Sequence, residues 1–212
     1  MTCVPIPDIL EIIARGDMIV LVDDPGRENE GDLVLAAEKV SAEGIAFMAK
    51  HGSGLICLAL EGEILDRLEI PLAPRSSGHH KDTAFTLSIE AHRGVTTGIS
   101  AMDRATTIRA AVAKEASPGD IVTPGHVFPL RARQGGVLQR AGHTEGSVDL
   151  TRMVGLRGAA VICEILNPDG TMARAADLEQ FCLTHQLAMC SVADIVAYRQ
   201  ERENVVASGK SL

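Results

Sequence analysis

The chain has 212 residues, of which 46% are hydrophobic, so its length fits one domain, or at most two small ones, with a core that needs neither disulfides nor a structural metal. The 20 basic and 28 acidic side chains give a net charge of −8, which weighs against a nucleic acid as the partner. The sequence contains no apolar run of the roughly 18 residues that span a membrane and no signal peptide, and its five cysteines are typical of reduced thiols, so we expect a soluble, cytoplasmic protein that binds a small molecule.

The first part of the chain predicts helices and strands that alternate. The expected elements are a helix over residues 9–15, strands over 18–22, 33–36 and 55–60, and helices over 42–50 and 61–68. Ser41 is a suitable N-cap for the second of these helices. Residues 71–82 have no periodicity and predict an exposed loop that is long enough to be a lid.

The second part of the chain is less regular. The expected elements are strands over residues 85–90, 159–166 and 187–190, an extended segment over 127–131, and helices over 101–114, 145–153, 176–185 and 192–203. Ser100, Thr144 and Ser191 are the predicted helix caps. A loop with two Pro-Gly pairs is expected to end at His126, and residues 205–212 are expected to be frayed. These elements do not form a regular βαβ series, so we expect one α/β domain with a mixed sheet and helices packed on it.

An acidic segment over residues 23–32 follows the first predicted strand. Glu28, Glu30 and Asp32 occupy every second position, so an extended backbone would direct all three carboxylates to one face, beside Arg27. Carboxylates that repel one another in this way are typical of a site where a metal, a proton or a cation offsets the repulsion. The alternative is an ordinary solvated acidic turn.

A second candidate is the start of the helix predicted after residue 144. Gly142 lets the backbone approach a ligand closely, Thr144 and the free N–H groups of the first turn attract an anion, and Arg140 adds positive charge. This pattern indicates a phosphate site, although an ordinary capped helix start explains the same residues.

Three single residues also carry functional hypotheses. Glu164 is a carboxylate in an otherwise apolar strand, which is explained by a position at the strand end, by a binding partner or by a role in acid–base chemistry. His126 and His143 could each be catalytic or bind a ligand, but on their own a loop histidine for His126 and a hydrogen-bonded or surface histidine for His143 are the commoner explanations.

Six segments, read together, resemble the 3,4-dihydroxy-2-butanone 4-phosphate synthases of riboflavin biosynthesis. They are DDxxRENEGD at residues 23–32, HGSG at 51–54, GVTTGISAxDR at 94–104, PGHVFPLR at 124–131, GGVLxRxGHTE at 135–145 and CEILNxDGTMAR at 163–174. The resemblance implies a single α+β domain over residues 1–212, with a mixed sheet between helices in three α/β/α layers. It also implies a homodimer with active sites near the interface.

The resemblance further implies an activity. Enzymes of this family are lyases that convert D-ribulose 5-phosphate into 3,4-dihydroxy-2-butanone 4-phosphate and formate, through an enediolate and a skeletal rearrangement, with Mg²⁺ or Mn²⁺. Glu28 and His143 would bind the metal. The residues that would contact the sugar phosphate are Arg27, Glu28, Asp32, Arg140, Ala141, Gly142, His143, Thr144 and Glu164. The residues that would take part in catalysis are His126, Glu164, Glu30 and Asp32, and either Glu164 or the acidic segment would take the first proton.

Two features distinguish this sequence within the resemblance. Residues 75–82 read RSSGHHKD, where the family pattern is rich in Asn, Thr and Ser, so the contacts of the lid are expected to differ. The chain is too short for the GTP cyclohydrolase II domain that many relatives carry, so we expect a monofunctional form. The alternatives are a paralogue that binds a sugar phosphate without turnover and a metal-dependent isomerase or aldolase acting on another sugar phosphate.

Overall fold

The structure, a computed structural model, describes residues 3–74 and 83–207, and over these residues it forms a seven-stranded mixed sheet with helices on both faces. The strands are β1 (Ile19–Val22), β2 (Gly31–Ala36), β3 (Cys57–Leu60), β4 (Ile89–Ala91), β5 (Ile121–Arg131), β6 (Ala159–Glu164) and β7 (Ala188–Ser191). The helices are α1 (Ile6–Arg15), α2 (Ala42–Phe47), α3 (Gly62–Arg67), α4 (Ala101–Val112), α5 (His143–Met153), α6 (Ala175–His185) and α7 (Val192–Ala207). Most of the expected lid, residues 75–82, and the expected tail beyond residue 207 lie outside the described residues.

The sheet has the strand order β4-β5-β3-β6-β2-β1-β7. β6 lies between β3 and β2 and is antiparallel to both, whereas β3 with β5 and β1 with β7 are parallel pairs. The expectation of a mixed sheet is therefore confirmed. Within the described residues, no helix is both long enough and apolar enough to cross a bilayer.

Alternate residues of the central strands face two separate cores, as the two-residue period of a strand requires. On β2, Leu33 and Leu35 pack with α2, α3, α4 and α6, whereas Val34 and Ala36 pack with α1, α5 and α7. The three-layer arrangement is thus confirmed, and it follows from strands that are apolar on both faces.

Several expected boundaries were wrong. Residues 121–131 form one continuous strand rather than a loop that ends at His126, and β4 (Ile89–Ala91) overlaps the strand expected over 85–90 only at residues 89 and 90. β5 lies between β4 and β3, and its register against β4 shifts between Ile89 and Glu90. β6 ends at Glu164, so this carboxylate lies at the strand end rather than in its middle.

The caps of the helices were predicted more accurately. The hydroxyls of Ser41 and Ser100 accept hydrogen bonds from the N–H groups of Gly44 and Asp103, as expected. Thr144, in contrast, is not an N-cap, because α5 begins at His143, two residues earlier than expected, and Gly142 is its N-cap. A side chain at residue 142 would meet the guanidinium groups of Arg140 and Arg27, which explains why a glycine precedes this helix.

We expect Gly125→Ala to destabilise the fold by about 2 kcal/mol or more, because the new methyl group would overlap backbone atoms. A Cβ at this position would collide with the carbonyl oxygen of Ile89 and the nitrogen of Glu90. Denaturant unfolding measures the change in the free energy of unfolding. Gly119→Ala is the matched control, since its Cβ would lie no closer than 3.9 Å to Ser117, and an equal loss in both variants would contradict the prediction.

Candidate active site

A pocket of about 510 Å³ opens at the end of the sheet where β6 ends and β2 and β3 begin. It lies on the face of the sheet that α5 covers, because Asp32 and Glu164 share that face with Val34 and Ile162. Eight of the residues that the sequence singled out line this pocket, namely Arg27, Glu28, Glu30, Asp32, Arg140, His143, Thr144 and Glu164. The acidic segment and the helix start, which are far apart in sequence, therefore meet in one cavity.

Asp23 organises the acidic segment. Its Oδ1 accepts a hydrogen bond from the N–H of Glu30 at 2.8 Å, and its Oδ2 accepts from the N–H of Glu28 at 3.1 Å and from Arg27 Nη1 at 2.8 Å. Although burial acts to raise the pKa of Asp23, these hydrogen bonds hold it below its ordinary value. The segment is a turn rather than an extended strand, with Asn29 at a φ of 56°, and the turn still directs the carboxylates inward.

Asp32 and Glu164 are opposite each other in the antiparallel register of β2 and β6, so their side chains leave the same face of the sheet. Glu164 Oε2 accepts a hydrogen bond from the N–H of Leu55 at 2.8 Å. Gly54 makes this approach possible, since a Cβ there would lie 2.6 Å from that oxygen. Burial, with a further contribution from Glu164 and the acidic segment, raises the pKa of Asp32 well above its ordinary value. Asp32 is therefore suited to hold a proton.

His143, at the first position of α5, is the best candidate for a metal ligand. Its side chain is 7% exposed, and its Nε2 has no hydrogen-bond partner among the described residues. Burial lowers the pKa of His143, which favours the neutral imidazole that binds metals. Asp32 Oδ1 is likewise buried without a partner in the described chain. The unpartnered nitrogen of His143 fits a cation-binding site, and Asp32 Oδ1 lies 3.9 Å from the other ring nitrogen, Nδ1.

A possible ligand set surrounds His143. One ligand atom each from Asp23, Glu28 and His143 lie within 4.8 Å of one another. The sequence predicted Glu28 and His143 but not Asp23, although the position of Asp23 directly after a buried strand was a visible signal. Both oxygens of Asp23 accept hydrogen bonds that hold the turn in place, and Glu28 Oε2 also accepts one from Arg27 Nη1 at 2.7 Å, so all three side chains are candidate ligands of a divalent cation.

The start of α5 has the features of an anion site. The guanidinium groups of Arg27 and Arg140 both approach Gly142, whose missing side chain makes room for them, and the first N–H groups of the helix point the same way. Buried Glu145 fixes Arg140 by an ion pair of 2.6 Å to Nη1, and Thr83 accepts a hydrogen bond from Nη2 at 3.1 Å. Glu145 stands in the quoted motif, but its role in holding Arg140 was not predicted.

Two of the predicted site residues, Ala141 and His126, are not among the residues that line this pocket. The side chain of Ala141 precedes the helix and is exposed. His126 lies on β5 with 44% of its side chain exposed and its Nδ1 2.6 Å from Glu90 Oε2, outside the described lining of the pocket.

The family model for 3,4-dihydroxy-2-butanone 4-phosphate synthase matches residues 7–198. The chain belongs to this family. It is 52% identical over 202 residues to the 3,4-dihydroxy-2-butanone 4-phosphate synthase of Neisseria meningitidis serogroup B, covering 95% of this chain and 56% of that protein. It is 50% identical over 194 residues to the enzyme of the same name from Edwardsiella ictaluri, covering 92% of this chain and 89% of that one.

A solved structure supports the same assignment. The fold is similar, with a TM-score of 0.89 and 40% identity, to that of 3,4-dihydroxy-2-butanone 4-phosphate synthase in complex with two magnesium ions, over 94% of this chain and 98% of the other. The chain spans about half the length of several curated relatives that it matches.

Proposed function

We propose that this chain converts ribulose 5-phosphate into 3,4-dihydroxy-2-butanone 4-phosphate and formate, as a lyase of riboflavin biosynthesis in the cytoplasm. The observation that carries the proposal is the meeting of two unlike features in one pocket. One is a cluster of carboxylates beside a buried histidine, and the other is a helix start with two arginines. A sugar phosphate needs both, because its phosphate is an anion and its carbon-bound protons need a base.

The phosphate is expected to lie at the start of α5. Arg27 and Arg140 approach Gly142 from the pocket side, and the N–H groups of His143 and Thr144 belong to the first turn of the helix. Because Glu145 and Thr83 already fix the guanidinium of Arg140, the side chain loses little freedom when the anion binds. The sugar carbons would then extend toward Asp32 and Glu164.

Glu28 and His143 are the proposed metal ligands, with Mg²⁺ as the expected ion and Mn²⁺ as an alternative. When bound, the ion would act as a Lewis acid on the carbonyl and hydroxyl oxygens of the sugar. Different residues of the chain would carry out the different proton transfers. Asp32 holds a proton in the buried part of the pocket and can donate it to a leaving hydroxyl, while Glu164 or Glu30 removes the carbon-bound proton.

The exposed position of His126, outside the pocket of its own chain, is the reason for proposing a homodimer. His126 is exposed and does not line the pocket of its own chain, yet it matches a position tied to catalysis in the resembling family. Two exposed apolar side chains are next to residues that lie against His126, since Val122 is opposite Glu90 in the strand register and Ile99 follows Gly98. We infer that this surface contacts a second copy of the chain and that His126 serves the pocket of the partner.

Mixing two inactive variants tests this arrangement. His126→Ala and Glu164→Gln chains, unfolded and refolded together, would form mixed dimers in which one site has both wild-type residues. In a two-fold dimer we expect about a quarter of wild-type activity to return. No recovery, with mixed dimers present by mass spectrometry, would contradict the exchange of His126 between subunits.

Formate release tests the function itself. The protein is mixed with ribulose 5-phosphate and Mg²⁺, with and without EDTA, and followed by proton and carbon NMR. Formate and a four-carbon phosphate that both disappear with EDTA are the expected result. A bound but unchanged sugar phosphate would instead indicate a binding protein, and a different product would indicate another sugar-phosphate enzyme.

A further inference from the structure

A bulge in β5, opposite β4, brings His126 next to Glu90. Ile89 is paired with Val127 and Glu90 with Val122, so residues 123–126 of β5 have no opposite residues on β4. This extra length brings His126 Nδ1 to 2.6 Å from Glu90 Oε2. The carboxylate of Glu90 is 12% exposed, whereas 44% of the His126 side chain is exposed, so the pair has a buried end and an open end.

The other oxygen of Glu90 is fixed from within the fold. Thr107, which is fully buried on α4, donates its hydroxyl proton to Glu90 Oε1 at 2.7 Å. The same hydroxyl accepts a hydrogen bond from the N–H of Ala91 at 3.0 Å, and its own proton points to Glu90, because an ionised carboxylate can only accept. The three side chains therefore form a chain of hydrogen bonds with a defined direction.

The loop before α4 covers the contact between Glu90 and His126. Gly98 has a φ of +90°, and a Cβ there would collide with both Glu90 Oε2 and His126 Nδ1. The loop can pass this close only because residue 98 has no side chain. The imidazole thus has little freedom to turn away from the carboxylate.

An ionised carboxylate has no proton to donate, so Glu90 accepts from the histidine at Oε2 as it accepts from Thr107 at Oε1. The proton of a neutral His126 therefore lies on Nδ1, and Nε2 has a free lone pair on the exposed side of the ring. A carboxylate that selects a histidine tautomer in this way can matter greatly for rate, because the wrong tautomer presents a donor where an acceptor is needed.

We propose that Glu90 is a positioning residue, which holds His126 in the Nδ1–H tautomer so that Nε2 can accept a proton or a hydrogen bond in the reaction. The link to turnover rests on the proposed function, in which His126 acts in the pocket of a second subunit. The tautomer itself depends only on the chain described here.

Glu90→Gln tests the proposal because the orientation of the new amide is known in advance. Thr107 must donate to residue 90, so the amide oxygen of the new side chain turns toward Thr107 and its NH₂ group faces His126. The NH₂ group needs an acceptor, and the ring is expected to switch to the Nε2–H tautomer. With ¹⁵N-labelled histidine, the ring nitrogen shifts of His126 at about pH 8.5, roughly two units above the ordinary histidine pKa, report the tautomer directly.

The same variant is expected to lower kcat for formate release by about 100-fold or more, with KM nearly unchanged, because substrate binding does not involve Glu90. Adding Thr107→Val should reverse part of the defect. Without the hydroxyl, the new amide at position 90 can turn its oxygen toward His126, and the Nδ1–H tautomer and part of kcat should return. Thr107→Val alone keeps Glu90 and should keep the wild-type tautomer.

The two measurements separate this inference from the proposed function. If the wild-type protein releases no formate, the proposed function fails, while the nitrogen shifts still decide whether Glu90 sets the tautomer. An unchanged tautomer in folded Glu90→Gln would overturn the inference. A changed tautomer with normal kcat would overturn it too, since the positioning would then have no effect on the reaction.

Discussion

Replacing Glu164 by glutamine is expected to lower kcat by about 1,000-fold, which corresponds to about 4 kcal/mol in the activation free energy. The new side chain has the shape of Glu164, and its amide oxygen would keep the hydrogen bond from the N–H of Leu55. The NH₂ group of the amide would then face the pocket, where it cannot accept a proton. The variant should bind sugar phosphate and Mg²⁺ normally but release almost no formate.

The matched control is Glu63→Gln, which makes the same chemical change at an exposed position on α3. This control should keep normal turnover. Normal formate release by Glu164→Gln would remove Glu164 from proton transfer and leave Glu30 and Asp32 as the candidates. If Glu28→Gln also kept normal turnover, the proposed function itself would be contradicted.

Replacing His143 by asparagine is expected to abolish turnover and to weaken Mg²⁺ binding by about 100-fold. The reason is that His143 Nε2 is buried without a partner among the described residues, while Nδ1 of the same ring lies 3.9 Å from Glu28 Oε2. At a Mg²⁺ concentration about 100 times the wild-type Kd, the ion should stabilise the wild-type protein by about 2.7 kcal/mol. The variant should keep only about 0.4 kcal/mol of that stabilisation.

Calorimetric titration gives the Kd, and thermal unfolding with and without Mg²⁺ gives the stabilisation. His92→Asn is the control, since His92 is an exposed histidine outside the described pocket lining. A His143→Asn protein that keeps the full Mg²⁺-dependent increase in Tm would show that another group binds the ion.

The chemistry of the site could be predicted from the sequence more fully than its geometry. The acidic segment and the glycine before α5 were visible because their residue types and spacing are unusual for a surface turn or a helix interior. What the sequence could not provide was their convergence. That convergence depends on the insertion of β6 between β2 and β3 and on the register that sets Asp32 opposite Glu164.

The roles of Asp23, Glu145 and Glu90 were missed for a related reason. Each acts by holding another residue in place, and its partner is known only once the backbone is known. The clearest case is Glu90, whose partner His126 is 36 residues away and reaches it only through the bulge in β5. Alternation of side chains predicted a strand near Glu90, but bulges are not visible in that alternation.

The central position of β6 in the sheet affects how the protein can fold while it is synthesised on the ribosome. β2 and β3 are made early, but the strand that joins them ends only at Glu164. Until then a nascent chain has two open strand edges of apolar sequence, which are prone to pair with other chains. Because the same strand brings Glu164 to the pocket, the step that closes these edges also completes the proposed catalytic groups, and a released fragment that lacked β6 is expected to be inactive and prone to aggregate.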